Sequence, residues 1–188
     1  MPKSSGKARA ITTLARTSRR CCSTSSANRL LQYSTLAAGL RDLKAFVEQG
    51  HNAIGLEGAE HFVTMARAHS GCEVWRQDFL KLALPEKHFD GVFANAALFH
   101  VPRQELPRVL LELHATLKPG GVLFSSNPRG DNKEGWTSGR YSVFHDLESW
   151  RRYASAAGFV ELTHYYRPDG APQEQQPWLA SVWRRLAP

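Results

Sequence analysis

Two segments in the second half of the chain constrain its fold most. Residues 89–95 read Phe-Asp-Gly-Val-Phe-Ala-Asn, and a helical run then leads into Leu-Lys-Pro-Gly-Gly-Val-Leu-Phe at residues 117–124. This order is typical of a strand, a crossover helix and the next strand of a parallel sheet, with residues 118–121 as a helix stop and turn. Ligands of such sheets bind at the carboxyl ends of the strands, so we expect the functional residues there.

The rest of the chain from Arg41 onward continues the alternation of strand and helix. Apolar residues recur at helical spacing in four segments, and short apolar runs lie between these segments. Two final strands, residues 159–166 and 178–184, have no helix between them and are expected to form an antiparallel pair. The pattern predicts an α/β fold with a doubly wound, mostly parallel sheet.

The formal net charge of +7 is unevenly distributed along the 188 residues. The first 41 residues hold eight of the 24 basic residues and none of the 17 acidic ones, so the remainder is close to neutral. We interpret residues 1–40 as a basic, Ser/Thr-rich arm or a degenerate first strand, and residues 41–188 as one folded domain. The arm has few aromatic residues, which argues against sequence-specific binding of nucleic acid.

Several classes of protein do not fit this sequence. No apolar run approaches the roughly 18 residues that a membrane span requires, and no segment resembles a secretory signal. The three cysteines and eight histidines lack the spacing of a disulfide framework or a metal site. We therefore expect a cytoplasmic protein without a metal or a membrane partner. An organelle is the alternative if residues 1–40 are a transit peptide.

The motifs taken together resemble class I methyltransferases that depend on S-adenosylmethionine. They are most similar to the type 11 methyltransferase-domain family, which has ubiquinone-pathway-like members. The carriers of the resemblance follow or enter successive strands: Glu57, residues 77–79, residues 89–92 and residues 117–121. The resemblance implies a seven-stranded, Rossmann-like sheet with a C-terminal antiparallel hairpin. It also implies S-adenosylmethionine as the cofactor and a small-molecule methyl acceptor.

Eight residues are candidates for the cofactor site that the resemblance implies. The carboxylate of Glu57 can accept hydrogen bonds from both ribose hydroxyls, and Gly58 lets the backbone approach a ligand closely. Asp78 can accept a hydrogen bond from the amine of adenine, and Phe79 offers an apolar wall. The alternative for Glu57 is a solvated loop carboxylate, and the alternative for Asp78 is a turn residue that bonds its own backbone. The set is completed by Gly39, Gln77, Asn95 and Ala96.

The acceptor side is predicted from the end of the fourth strand and from an aromatic insertion. Phe99 and His100 lie at the mouth of the site, where a histidine is a candidate base for an oxygen or nitrogen acceptor. The alternative is a hydrogen-bonded packing histidine. The insertion, residues 135–145, is expected to cover the acceptor, with a surface loop as the alternative. Its candidate substrate-binding residues are Trp136, Tyr141, Phe144 and His145.

The glycine-rich loop of the family is missing from the expected place after strand one. Residues 34–40 read Ser-Thr-Leu-Ala-Ala-Gly-Leu, without an acidic residue and with Gly39 as the single glycine. Three explanations stay open: a shifted reading frame that ends near Arg41, a transit peptide, and a naturally divergent arm. Loss of the loop removes several hydrogen bonds to the cofactor, while the alternating residues 31–35 still permit a substitute strand.

The sequence therefore predicts an S-adenosylmethionine-dependent methyltransferase that acts on a small molecule. Such a displacement relies mainly on positioning the two reacting groups, so a strong catalytic base is not required. One alternative is a catalytically inactive methyltransferase-like scaffold or a binding module with a basic arm. The other is a nicotinamide-dependent oxidoreductase, which would lack its own glycine fingerprint as well.

Overall fold

The computed structural model describes residues 31–36, 40–137 and 139–186. The strands in these ranges are β1 Gln32–Leu36, β2 Asn52–Glu57, β3 Glu73–Arg76, β4 Phe89–Asn95, β5 Leu117–Pro128, β6 Lys133–Thr137, β7 Arg140–Phe144, β8 Phe159–Arg167 and β9 Trp178–Arg185. The α-helices are α1 Leu40–Glu48, α2 Glu60–Ser70, α3 Leu106–Thr116 and α4 Leu147–Ala156. The predicted cofactor residue Gly39 and most of the predicted arm lie outside the described residues. None of the helices in the described ranges combines the length and the hydropathy needed to cross a membrane.

Seven of the strands form one sheet in the order β3-β2-β1-β4-β5-β9-β8. The five strands from β3 to β5 run parallel, whereas β9 is antiparallel to both of its neighbours, β5 and β8. This arrangement confirms the predicted α/β fold class and the predicted antiparallel final pair. Because the strand order reverses between β1 and β4, the carboxyl ends of these strands flank the crevice where ligands of such sheets bind.

The helices cover both faces of the sheet. On one face, Leu43 and Phe46 of α1 and Val63 of α2 pack with buried sheet residues such as Phe93. On the other face, α3 and α4 contribute a second buried cluster that includes Leu113. The two apolar layers explain why strand β4 is buried almost along its whole length.

Strand β1 occupies the centre of the sheet although it precedes the domain boundary that the sequence predicts at residue 41. It pairs with β2 and β4, and both of its faces are covered. Tyr33 stacks on Phe46 at 4.6 Å between ring centroids on the side of α1. Ser34 and Thr35 are fully buried as well, so this strand carries polar residues where a central strand is normally apolar.

The turn predicted for residues 118–121 is wrong, because these residues belong to the first part of β5. The pairing of β4 with β5 shifts register between Phe89 and Gly91, which accommodates them. Gly121 is required sterically: a Cβ there would lie 2.8 Å from the carbonyl oxygen of Lys118 and 3.2 Å from that of Asp90. The Lys-Pro-Gly-Gly segment is thus part of the tight contact between β4 and β5, and its role is structural as predicted.

A buried carboxylate connects the starts of three central strands. Asp90 in β4 is only 3% exposed, and its Oδ2 accepts a hydrogen bond from the backbone N–H of Gln32 at 2.9 Å. The same oxygen accepts from Nζ of Lys118 at 2.9 Å. Gln32 opens β1 and Lys118 lies near the start of β5, so Asp90 fixes both neighbours of its own strand.

We expect Asp90→Ala to lower the free energy of unfolding by about 2–4 kcal/mol, because a half-buried ammonium group and a backbone N–H lose their shared acceptor. Urea denaturation at neutral pH measures this change. Asp131→Ala is the matched control, since the ion pair of Asp131 with Lys133 is exposed and screened by water, so its loss should leave the stability nearly unchanged. Equal, small losses for both variants would contradict the role given to Asp90.

Candidate active site

The carboxyl ends of β2 and β3 border a cavity of about 590 Å³. Its lining residues are Glu57, Gly58, Arg76, Asp78 and Phe79. The structure therefore brings together four of the predicted cofactor residues from two strands. The volume lies within the range of small-molecule sites, and the lining combines carboxylates with an aromatic ring.

Each carboxylate of this cavity uses one oxygen to shape its own turn. Oε1 of Glu57 accepts a hydrogen bond from the N–H of Ala59 at 3.0 Å, and Oδ1 of Asp78 accepts from the N–H of Leu80 at 2.9 Å. The turn bond considered for Asp78 in the sequence analysis is therefore present, and Glu57 makes a similar bond that was not expected. A carboxylate has about four acceptor positions, so each side chain retains capacity to bind the hydroxyl or amine of a ligand.

Gln77 serves the loop rather than the cavity wall. Its Oε1 accepts from the N–H of Ala83 at 2.9 Å, and its Nε2 donates to the carbonyl oxygen of Ala83 at 3.4 Å. The backbone N–H of Gln77 donates to the carbonyl oxygen of Glu57 at 3.0 Å. These bonds hold Asp78 and Phe79 next to the end of β2, so the side chain of Gln77 positions the cavity without lining it.

The end of β4 presents Asn95 and Ala96 beside two charged side chains. Nδ2 of Asn95 donates to Oδ2 of the buried Asp42 at 3.4 Å, and its Oδ1 accepts from Nη2 of Arg167 at 3.4 Å. Ala96 has a left-handed backbone with φ of 58°, which is uncommon for a residue other than glycine. Its N–H donates to the carbonyl oxygen of Ser126 at 2.8 Å, and this bond holds the turn after β4.

Three half-buried aromatic rings form a wall on the acceptor side. The ring of Phe99 lies 6.4 Å from that of Phe144 in a stacked geometry and 6.4 Å from that of Trp178 in an edge-to-face geometry. Phe144 belongs to the insertion, which is a β6–β7 hairpin rather than a surface loop. The structure thus brings the predicted residues Phe99 and Phe144 together and adds Trp178, which sequence reasoning missed.

His100 connects the turn after β4 to this hairpin. Its Nδ1 lies 2.7 Å from the carbonyl oxygen of Tyr141. Because a carbonyl oxygen only accepts, Nδ1 carries the proton, and in the neutral ring the lone pair falls on Nε2. A neutral imidazole in this tautomer is able to take a proton through Nε2.

The other predicted acceptor residues lie in two different surroundings. Trp136 is 75% exposed and contacts Tyr141, whose hydroxyl donates to Oε1 of Glu134 at 2.7 Å. This bond to the carboxylate raises the pKa of Tyr141. His145 is buried instead, at a smaller cavity of about 120 Å³ together with Arg103, Asn132, Ser149, Arg152 and Tyr153.

No group of three or more His, Cys, Asp or Glu side chains within the described ranges has an arrangement suited to a metal ion.

Comparison with solved structures defines the class of this fold. The 1,6-didemethyltoxoflavin-N1-methyltransferase of Burkholderia thailandensis, solved with bound 1,6-didemethyltoxoflavin and S-adenosylhomocysteine, superposes with a TM-score of 0.75. The alignment covers 98% of this chain and 80% of that one at 20% identity. An S-adenosylmethionine-dependent methyltransferase from Mesorhizobium loti gives a TM-score of 0.70, with 90% and 96% coverage at 19% identity. The fold is that of the class I S-adenosylmethionine-dependent methyltransferases.

A sequence match to a protein family agrees with this fold. Residues 37–125 match the family described as a methyltransferase domain. The curated relatives include the 24-methylenesterol C-methyltransferase 2 of Oryza sativa subsp. japonica, 37% identical over 98 residues, or 45% of this chain. The alignment spans 26% of that relative, so the chain matches about a quarter of its length.

Sequence reasoning missed four residues of the site. Arg76 lines the larger cavity, Trp178 completes the aromatic wall, and Asp42 and Arg167 flank Asn95. Asp42 and Asn95 are far apart in sequence, so only the three-dimensional fold brings them together. The signal for Arg167 was its position at the end of a strand on the same sheet edge as β4 and β5.

Burial of His145 makes the stability of the protein depend on pH. Its pKa is lowered to about 4 from 6.5, first by desolvation and next by the charge of Arg103, against the opposing charges of Glu134 and Asp146. The neutral ring is thus favoured in the folded state. Between pH 6.5 and 4 the unfolded chain binds the proton more readily, so stability falls as the pH is lowered through this window.

We expect this group to contribute a loss of up to about 3 kcal/mol in the free energy of unfolding between neutral pH and pH 4. His145→Leu should reduce this loss, because the group that titrates is gone. Urea denaturation at several pH values measures the slope, and His61→Leu, at an exposed helical position, is the control. An unchanged slope in His145→Leu, or the same change in the control, would contradict the assignment.

Proposed function

We propose that this chain binds S-adenosylmethionine and transfers its methyl group to a small-molecule acceptor. The observation that supports this most directly is the convergence of Glu57, Gly58, Asp78 and Phe79 on one cavity. These residues come from the ends of two adjacent parallel strands, where nucleoside ligands bind in doubly wound folds. Their chemistry suits a nucleoside, because two carboxylates and an aromatic ring face the same space.

The cavity offers a place for each part of the cofactor's nucleoside. Glu57 is the candidate acceptor for the ribose hydroxyls, with Gly58 leaving room beside it. Asp78 is the candidate partner of the adenine amine, and Phe79 would pack against the base. Gln77 contributes indirectly, because its hydrogen bonds hold the loop that carries Asp78 and Phe79. The amino-acid end of the cofactor would extend toward Asn95 and Ala96. Gly39 stays a candidate from the sequence alone, because it lies outside the described residues.

The bound cofactor supplies an electrophilic methyl group on its sulfonium sulfur. The protein's task is then to hold a nucleophile in line with that group, at the boundary between the β4 end and the aromatic wall. Phe99 and Phe144 would pack against the body of the acceptor. His100, whose neutral ring has its lone pair on Nε2, is the candidate base where an oxygen or nitrogen acceptor has to lose a proton.

The acceptor class is proposed only as a small molecule at this point. The curated relatives are named as sterol C-methyltransferases, whereas a structural neighbour is named as an N1-methyltransferase. Each of the curated alignments covers less than half of this chain.

A second candidate function is a methyltransferase-like scaffold without catalytic activity. It is supported by the missing glycine-rich loop and by the turn bonds that Glu57 and Asp78 already make. Each lost hydrogen bond to the cofactor is worth about 0.5–1.5 kcal/mol, so several together weaken binding by a large factor. A nicotinamide-dependent oxidoreductase has less support, because the family match is to a methyltransferase domain.

Calorimetric titration with S-adenosylhomocysteine, the product that fills the same cavity, tests the proposal. We expect micromolar binding by the wild-type chain, and a loss of about tenfold or more in Glu57→Ala and in Asp78→Ala, because each removes a charged hydrogen-bond acceptor. Glu86→Ala, at an exposed loop position, is the control and should bind like the wild type.

The outcomes separate the two candidate functions. A folded wild-type chain that does not bind S-adenosylhomocysteine would support the inactive scaffold. Binding that survives both substitutions would place the nucleoside elsewhere and contradict the roles given to Glu57 and Asp78. Circular dichroism of each variant shows whether the fold is intact.

A further inference from the structure

Arg167 is a half-buried cation at the acceptor side of the site. It ends β8 and reaches across the sheet edge, where its Nη2 donates to Oγ of Ser126 at 2.5 Å and to Oδ1 of Asn95 at 3.4 Å. Its Nε is buried and has no hydrogen-bond partner. Burial lowers the pKa of this guanidinium, whereas the charges of Tyr165 and, to a smaller extent, Asp42 act in the opposite direction.

This guanidinium lacks the contact that a buried charge normally has. Within the described part of the chain, no carboxylate forms an ion pair with Arg167, and Asp42 influences it only at longer range. By contrast, Arg108 and Arg151 each form ion pairs with two glutamates. Removing a charge from water is costly unless an opposite charge and hydrogen bonds compensate, so Arg167 has unused capacity to bind an anion.

Aromatic rings continue from this guanidinium into the acceptor wall. The central carbon of the guanidinium lies 5.6 Å from the ring centroid of Trp178, which in turn contacts Phe99. All three side chains are half-buried, so they are shielded from bulk water without being sealed in the core. A planar guanidinium with free donors next to apolar rings is suited to a carboxylate on an apolar or aromatic body.

We propose that Arg167 binds an anionic group of the methyl acceptor, and that the acceptor is a carboxylate with an apolar or aromatic body. The proposal rests on the proposed methyl transfer, because it concerns the acceptor of that reaction. Phe99, Phe144 and Trp178 pack against the body, and Asn95 and Ser126 hold the guanidinium at the edge of β4 and β5. The carboxylate supplies the negative charge that the half-buried guanidinium lacks.

Ligand-observed NMR titration with benzoate tests the anion site, and benzamide is its neutral isostere. The titrations are made with and without saturating S-adenosylhomocysteine. We expect the wild type to bind benzoate in preference to benzamide, and Arg167→Gln to bind benzoate about tenfold more weakly while benzamide binding is unchanged. Arg167→Lys keeps the positive charge but lacks the planar pair of N–H donors of a guanidinium. This variant should therefore retain part of the preference for benzoate over benzamide.

The control variant is Arg184→Gln. Arg184 is also half-buried and its Nε also lacks a partner, but it lies toward the opposite end of β9 from Trp178, outside the aromatic wall. It should bind benzoate like the wild type. An equal loss in both variants, or a wild type that does not prefer benzoate over benzamide, would overturn the proposal.

Two further readouts distinguish a binding role from a structural one. Arg167→Gln should melt no lower than the wild type, because it removes a half-buried charge that has no ion partner. Benzoate should raise the Tm of the wild type and of Arg184→Gln more than that of Arg167→Gln. A lower Tm with the preference for benzoate intact would show a structural role and overturn the proposal.

The affinity for S-adenosylhomocysteine shows whether Arg167 binds the carboxylate of the acceptor or that of the cofactor's amino-acid end. We expect this affinity to be the same in the wild type and in Arg167→Gln. A parallel loss of S-adenosylhomocysteine binding would mean that Arg167 holds the amino-acid end of the cofactor, which would overturn the assignment to the acceptor. Benzoate binding to the cofactor-free chain tests the anion site even if the proposed methyl transfer fails.

Discussion

The shared hydrogen bonds of Asp90 fix the geometry on which the site depends. One carboxylate oxygen accepts from the start of β1 and from a lysine near the start of β5, while the residue itself belongs to β4. The three strands are therefore aligned where they begin. Their lengths then determine how far each one extends at its carboxyl end, which is the opposite edge of the sheet. That opposite edge carries Asn95 and Ser126, whose spacing determines where Arg167 can bind. A buried ion at one end of the sheet thus sets the geometry at the other.

The fold was predictable from the sequence because its signals are local. Helix α4 illustrates this, since the aspartate directly before it in the sequence caps it: Oδ1 of Asp146 accepts from the N–H of Ser149 at 2.7 Å. The prediction of a turn at residues 118–121 failed because glycine and proline mark both turns and irregular strand starts, and only the packing of Gly121 against β4 distinguishes them. The hairpin of β6 and β7 was missed for a similar reason: its strands are short and carry polar residues.

The site was predictable only in part, and sequence distance explains the difference. Glu57, Asp78 and Phe79 directly follow predicted strands, so the rule for parallel sheets places them at one edge without knowledge of packing. Arg167 comes 72 positions after Asn95, and its approach depends on the order of β5, β9 and β8. His145 differs from these residues in its surroundings. It lies one residue after β7, and its buried ring lines the smaller cavity together with Ser149 and Tyr153 of α4.

The distribution of charge divides the proposed site into two halves. The nucleoside half has Glu57 and Asp78, which suit a cofactor with a positive sulfonium and hydroxyl donors, while the acceptor half has the guanidinium of Arg167. A sulfonium bound near an unpaired guanidinium would be repelled by it, and the repulsion is strong where water is excluded. An anionic acceptor between them would neutralise both cations. On this argument the same carboxylate that orients the acceptor also makes the bound cofactor more stable, so the two ligands should favour each other's binding.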